Sequence, residues 1–220
     1  CAEFSIKKDE LTIKTTDLDQ TIISKTKIKD EQNGIIAIPM SKLVEIIGAL
    51  PDEEIKINTT EDLVVEINSK QGTYRITSKN AEDFPEINKP TKKETLTLSG
   101  EEFLGLVEKT TFAASKDDLK PALTGVYINV EENQMTAVAT DGHKLVKYEK
   151  KITNLNNAQQ SIIIPTKFFN ITKNIFKEKD DVIINIDSDQ ILIEQKELSI
   201  ISRIIKEHKK YWICQNLPHQ

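Results

Sequence analysis

One pattern is written twice in this chain, and that repetition constrains its fold more than any other feature. Thr16-Asp17 recurs as Thr140-Asp141 at an offset of 124, Ile28 recurs as Ile152 at the same offset, and Ile36-Ala-Ile-Pro39 recurs as Ile162-Ile-Ile-Pro165 at 126. A period this long means a duplicated domain, since solenoid repeats run to roughly 20 to 50 residues. The strand and helix expected at 95–112 would have their first-copy counterparts at negative residue numbers. The first module is therefore expected to lack its opening strand and helix, roughly thirty residues by the same offset.

Each copy reads as antiparallel strands with a helix entered from the Ile-Pro step. In the first, Phe4 and Ile6 alternate into Leu11 and Ile13 as a hairpin, 15–19 turn, 21–28 form a strand, and 35–38 a short strand stopped by Pro39. Residues 41–50 have helical spacing, with Leu43, Ile46, Ile47 and Leu50 on one side and Pro51 ending the run. Strands at 55–58, 63–67 and 73–77 complete this copy. In the second, a strand at 95–98 leads to Ser99, an N-cap whose capping box is closed by Glu102, with Phe103, Leu104 and Val107 on the apolar side of the helix. A polar loop at 115–121, strands at 125–130, 135–140 and through Tyr148, a strand at 161–164, a helix at 166–177 and strands at 182–186, 191–194 and 198–202 follow. The Lys- and Pro-rich stretch around 90–94 reads as a linker. The expected class is α+β, with modules at 1–89 and 95–207 and a tail at 208–220.

Composition narrows the function. A net charge of −5 argues against indiscriminate nucleic-acid binding, and Arg75 and Arg203 are the only arginines, so bidentate base reading is not what this chain is built for. Any DNA contact should go to phosphates. Cys1 and Cys214 stand at opposite ends, which excludes a disulfide framework or a CxxC site. No apolar run approaches the roughly 18 residues of a membrane span, and the first residues have no secretory pattern, so the expected location is cytoplasmic, with no membrane partner.

Two features suggest function. Asp141-Gly142 is the dipeptide of a two-residue type I′ hairpin turn, which sets His143, Lys144 and Leu145 on a rigid edge. A hairpin with a solvated Lys and a backbone-bonded His is the plainer alternative. On the helix at 166–177, at about 100° per residue, Phe168, Phe169, Ile171, Ile175 and Phe176 form one stripe, and Lys167, Asn170, Lys173, Asn174 and Lys177 fall opposite. That second face suits phosphates, and a merely solvated lysine face is the alternative.

The runs Phe112-Ala-Ala-Ser-Lys-Asp-Asp-Leu-Lys-Pro-Ala-Leu-Thr-Gly-Val126, Val138-Ala-Thr-Asp-Gly-His-Lys-Leu145 and Ile162-Ile-Ile-Pro165 resemble the bacterial DNA polymerase III β subunit, the sliding clamp. The resemblance covers about residues 4–206. It implies tandem clamp modules with antiparallel sheets outside and helices on the inner face. Family members carry three modules per protomer, and two protomers close a ring around double-stranded DNA and tether the polymerase without catalysis. With a third module absent here, this chain alone is expected to touch DNA only through phosphates. Short linear motifs of polymerase and clamp-loader subunits dock on clamps at positions matching Leu123, Thr140, Gly142, His143, Lys144 and Leu145. Lysine at 144, where the family more often has arginine, weakens the case for a bidentate contact there. Helices facing DNA would present Lys42, Lys167, Lys173 and Lys177. The family also has an aromatic-Pro step after Arg203, like Phe84-Pro85. Here Lys209 and Lys210 stand in its place, so 208–220, Trp212 included, is expected to be loosely held.

Other chemistries fare worse. Gly100 and Gly105 have phosphate-loop spacing, but Leu106-Val107 replace the Lys-Ser/Thr that such a loop needs. Asp17, Asp19 and Asp141 could suggest a metal-dependent nuclease, yet Asp17 and Asp141 are repeat equivalents, each in its own turn. No cofactor is expected. A repeat-built adaptor that binds only protein is the remaining alternative.

Overall fold

The computed structural model describes residues 1–29, 32–60, 62–87, 90, 94–131, 134–152 and 160–206. The chain divides into two compact units, Cys1–Ile87 and Asn88–Gln220. The linker core and the tail expected at 208–220 lie outside the described residues.

In the first unit, β1 (Ala2–Lys7), β2 (Glu10–Thr16), β3 (Gln20–Lys27) and β4 (Gly34–Ile38) lie in the order β4-β1-β2-β3, all antiparallel. Phe4 pairs with Ile13 and Ile6 with Leu11, the register that alternation requires. Helix α1 (Met40–Ala49) follows, then the meander β5 (Lys56–Thr59), β6 (Val64–Ser69), β7 (Gly72–Thr77). Ile36, Ile38, Leu43, Val65, Ile67 and Ile76 close the core between strands and helix, with Phe4, Ile46 and Leu50 against it. Two expectations fail here. Ile47 is 37% exposed and outside the buried stripe. Leu63 opens no strand: it holds a left-handed φ of 56° in the turn before β6.

The second unit has the same plan with one more strand and helix. β8 (Glu94–Leu98) leads into α2 (Gly100–Thr110), followed by β9 (Gly125–Glu131), β10 (Gln134–Thr140), β11 (Leu145–Lys151), β12 (Gln160–Pro165), α3 (Thr166–Ile175), β13 (Val182–Ile186), β14 (Gln190–Gln195) and β15 (Leu198–Arg203). The strand orders are β11-β10-β9-β12 and β8-β13-β14-β15, antiparallel throughout. The Ser99 capping box forms: the Glu102 N–H donates to Ser99 Oγ at 3.2 Å and the Ser99 N–H to Glu102 Oε2 at 3.1 Å. Phe103 of α2 meets Phe169 and Phe176 at ring separations of 6.1 and 5.9 Å, which fixes α2 beside α3 over the sheet core. Each such ring is worth about 1.5–3 kcal/mol for its burial.

Gly100 shows why a glycine starts α2. A Cβ there would run into the carbonyl oxygens of Lys177, Glu178 and Asp180. That turn is held from the other side by Gln195, whose Oε1 accepts the Lys177 N–H at 2.7 Å and whose Nε2 donates to the Lys177 and Asp180 carbonyls. The Glu101 N–H at the head of α2 donates to the Glu178 carbonyl. The helix start is thus occupied by protein backbone, and the glycine spacing reflects packing.

Candidate partner-binding hairpin and basic helix face

The β10–β11 register pairs Thr140 with Leu145, leaving Asp141, Gly142, His143 and Lys144 as a four-residue loop. The expected two-residue type I′ turn is therefore corrected. Gly142 holds a left-handed φ of 93°, but Asp141 does not. What closes the loop is side-chain chemistry. Thr140 Oγ1 donates to the Lys144 carbonyl at 2.7 Å and accepts the Gly142 N–H at 3.1 Å. Asp141 Oδ1 accepts the N–H groups of His143 and Lys144, each at 2.9 Å. Asp and Thr suit this work because their short side-chain oxygens reach the backbone two and three residues on. These bonds, from Lys144 first and His143 next, hold the Asp141 carboxyl well below the usual carboxylate range. Lys144 Nζ adds an ion pair to Asp141 Oδ2 at 3.2 Å.

The turn at 16–20 is built by the same bonds. Thr16 Oγ1 donates to the Gln20 carbonyl and accepts the Leu18 N–H, and Asp17 Oδ1 accepts the Asp19 and Gln20 N–H groups at 3.2 and 2.7 Å. Leu18, at φ 78°, stands where Gly142 stands.

His143 and Lys144 line an open cleft of about 480 Å³ together with Phe112, Ser115, Lys116, Asp117, Lys120 and Asp141. The 115–121 loop forming its other wall is ordered by its own bonds, including Asp117 to Ser115 and Leu119 to Asp117. Phe112 is 61% exposed at its edge. Sequence reasoning did not put Phe112, Lys116 or Lys120 in the site; an aromatic residue just past the α2 apolar stripe was the available signal. Of the two leucines named as anchors, Leu145 is 40% exposed at the start of β11. Leu123 packs against the cluster of Ala122, Tyr127, Val138 and Ile163. Neither leucine lines this cleft.

On α3, Phe168, Phe169 and Thr172 are buried and Lys167, Asn170, Lys173 and Asn174 are exposed; the helix stops at Ile175, short of the expected 177, so the exposed Lys177 stands in the turn after it. Lys173 is not a lone cation: its Nζ lies 3.2 Å from Glu108 Oε1 on α2. Lys42 is exposed on α1, at the repeat position of buried Phe168 and so not on the face corresponding to Lys167 and Lys173. Among the described residues, no group of three or more His, Cys, Asp or Glu side chains is placed to hold a metal ion. No described helix is long and apolar enough to cross a membrane.

Residues 3–88 match the DNA polymerase III beta subunit N-terminal domain, and residues 97–208 match its central domain. The chain belongs to the DNA polymerase III beta subunit family. It is 26% identical over 197 residues to the beta sliding clamp of Chlamydia pneumoniae, covering 90% of this chain and 54% of that protein. To the Staphylococcus aureus beta sliding clamp it is 24% identical over 200 residues, covering 90% and 52%. The chain thus spans about half the length of the curated relatives it matches. Among solved structures it resembles the DNA polymerase III subunit beta of Pseudomonas aeruginosa, with a TM-score of 0.91 at 21% identity over 99% of this chain and 60% of the other. A sliding clamp from the same organism, solved bound to griselimycin, superimposes equally well at 21% identity, over 100% and 60%. The fold is that of the sliding clamps, α+β as expected.

Proposed function

We propose that this chain provides clamp modules of a non-enzymatic processivity factor, a cytoplasmic homodimeric ring that encircles duplex DNA without reading its sequence. The observation that carries the DNA contact is the exposed side of α3, where Lys167 and Lys173 interleave with Asn170 and Asn174, with the exposed Lys177 just past the helix end. Long amines on one helix face reach phosphates without a groove to fit, which suits a protein that must move along DNA. Lys42 on α1 is the contact proposed from the first unit. Partner motifs of polymerase and loader subunits would dock at Leu123, Thr140, Gly142, His143, Lys144 and Leu145, with Phe112 at the cleft edge.

Binding of labelled linear duplex across a salt series tests this reading. If Lys167, Lys173 and Lys177 each neutralise a phosphate, log K should fall against log salt with a slope no steeper than about −3. Magnesium or manganese should leave the DNA uncut. Cleavage would favour the nuclease alternative, and the absence of any DNA association would favour the protein-only adaptor.

A further inference from the structure

The exposed faces of α2 and α3 do not carry free charge in proportion to their lysines. Three charged groups of α2 are each engaged within the unit: Glu102 Oε1 with Lys150 Nζ at 3.1 Å, Lys109 Nζ over the Tyr148 ring at 5.2 Å, and Glu108 with Lys173. The first two reach from α2 to β11. The third reaches across the helix pair to the middle of the face proposed to meet DNA.

We infer that Glu108 is a tuning residue for that contact: it holds Lys173 paired and so keeps the grip of α3 on phosphate weaker than its lysine count implies. The inference rests on the DNA-facing role proposed for α3. Glu108 and Lys173 are 61% and 50% exposed, so their pair is water-screened and weak by itself. A weak pair can exchange. For Lys173 to bind a phosphate it must leave Glu108, and the vacated carboxylate then lies within a few ångströms of the bound anion, where like charge opposes it. Both effects lower affinity, and both disappear when the carboxylate becomes an amide. α1 has no such arrangement to offer, because the residue aligned with Lys173 is Ile47.

The test is a double-mutant cycle on the full chain with labelled linear duplex, using Glu108→Gln, Lys173→Gln and both together, beside Lys167→Gln/Lys177→Gln as a control for the face itself. Glu108→Gln should raise affinity roughly fivefold to tenfold near 0.1 M salt and steepen the log–log slope by about 0.9, one recovered phosphate contact. Lys173→Gln should weaken the parent by less than the control pair does and abolish the gain in the Glu108→Gln background. If Glu108→Gln has no effect while the control pair still weakens binding, the tuning role is overturned and the DNA-facing role stands. A gain that survives loss of Lys173 also overturns it, because the carboxylate would then act on DNA directly. If the control pair leaves binding unchanged, or there is no binding to measure, the DNA-facing role itself falls and the inference with it.

Discussion

Helices α1 and α3 are one helix placed in two settings. Both are entered from a proline N-cap, Pro39 at φ −62° and Pro165 at φ −56°, and both stop at an extended residue with φ −82°. At the 126-residue offset Leu43 aligns with Phe169, and both are buried. Val44 and Ile47 align with Asn170 and Lys173, and all four are exposed. The strand-Pro-helix entry presets the angle at which the first turn leaves the strand, so although Lys42 is exposed where Phe168 is buried, the positions of Val44 and Ile47 face out in both copies. What stands at those positions is then free to differ. In the first unit they are aliphatic, and in the second they are polar or basic, so the same frame gives two different surfaces.

The buried half of this comparison carries the largest expected effect. Phe169 is fully buried and touches Phe103 and Phe168, so Phe169→Ala should cost about 3–5 kcal/mol in urea unfolding. Leu43 is the one residue buried along α1, and Leu43→Ala should cost near the low end of the large-to-alanine range, about 2 kcal/mol. Equal losses at the two sites would mean that α1 is as deeply seated as α3, and the contrast between the settings would be gone.

The two turns allow a finer comparison, since they share four side-chain-to-backbone hydrogen bonds and differ at the left-handed position. Leu18 sits at φ 78° and is 67% exposed, so it has strain and little burial to offset it. Gly142 sits at φ 93° at no steric cost. Gly142→Ala should therefore destabilise by about 1 kcal/mol, whereas Leu18→Gly should be close to neutral, since relief of strain offsets the added freedom of the unfolded glycine. Thermal melts of both variants decide this. A clear loss on Leu18→Gly would show that the leucine side chain is held by something in solution.

Much of this architecture was legible in the sequence, for identifiable reasons. Alternation located the β1–β2 hairpin, where Phe4 pairs with Ile13 and Ile6 with Leu11, and the Ser99-Glu102 spacing named a cap whose two bonds are present. The repeat offset predicted equivalent turns, and four side-chain-to-backbone hydrogen bonds recur in both. The misses have a common cause, namely that a pattern along one element cannot show what a neighbouring element does to it. Ile47 fits the apolar stripe of α1 by spacing yet lies outside it. Counting charges on α3 alone could not reveal Glu108, which arrives from α2. Asp141-Gly142 suggested a two-residue turn because the dipeptide is shared by both loop types, and only the Asp141 carboxylate bonding two residues ahead selects the longer loop. Thr172, a polar residue on the inner side, is tolerated there because its hydroxyl donates to the Phe169 carbonyl of its own helix at 2.8 Å.

The smallest expected effect is a titration, and it isolates the bonds that make the 140–145 hairpin rigid enough to present a surface. The Asp141 side chain is 24% exposed, and its carboxyl is held below the ordinary range chiefly by the N–H of Lys144 and then that of His143. For a carboxylate whose folded pKa is depressed, the stabilisation is complete above the unfolded value, about 3.9, and is lost as pH falls through the folded value. The turn should therefore stay closed from neutral pH down to about 4, opening only in stronger acid. Amide signals of His143 and Lys144 followed from pH 7 downward should hold their positions until below that point, and Asp141→Asn should remove the acid transition. A midpoint at an ordinary aspartate pKa would mean that the carboxylate does not hold these two N–H groups in solution. His143 and Lys144 would then lie on a loose loop, and the turns at 16–20 and 140–144 would differ in construction as well as in the residues they display.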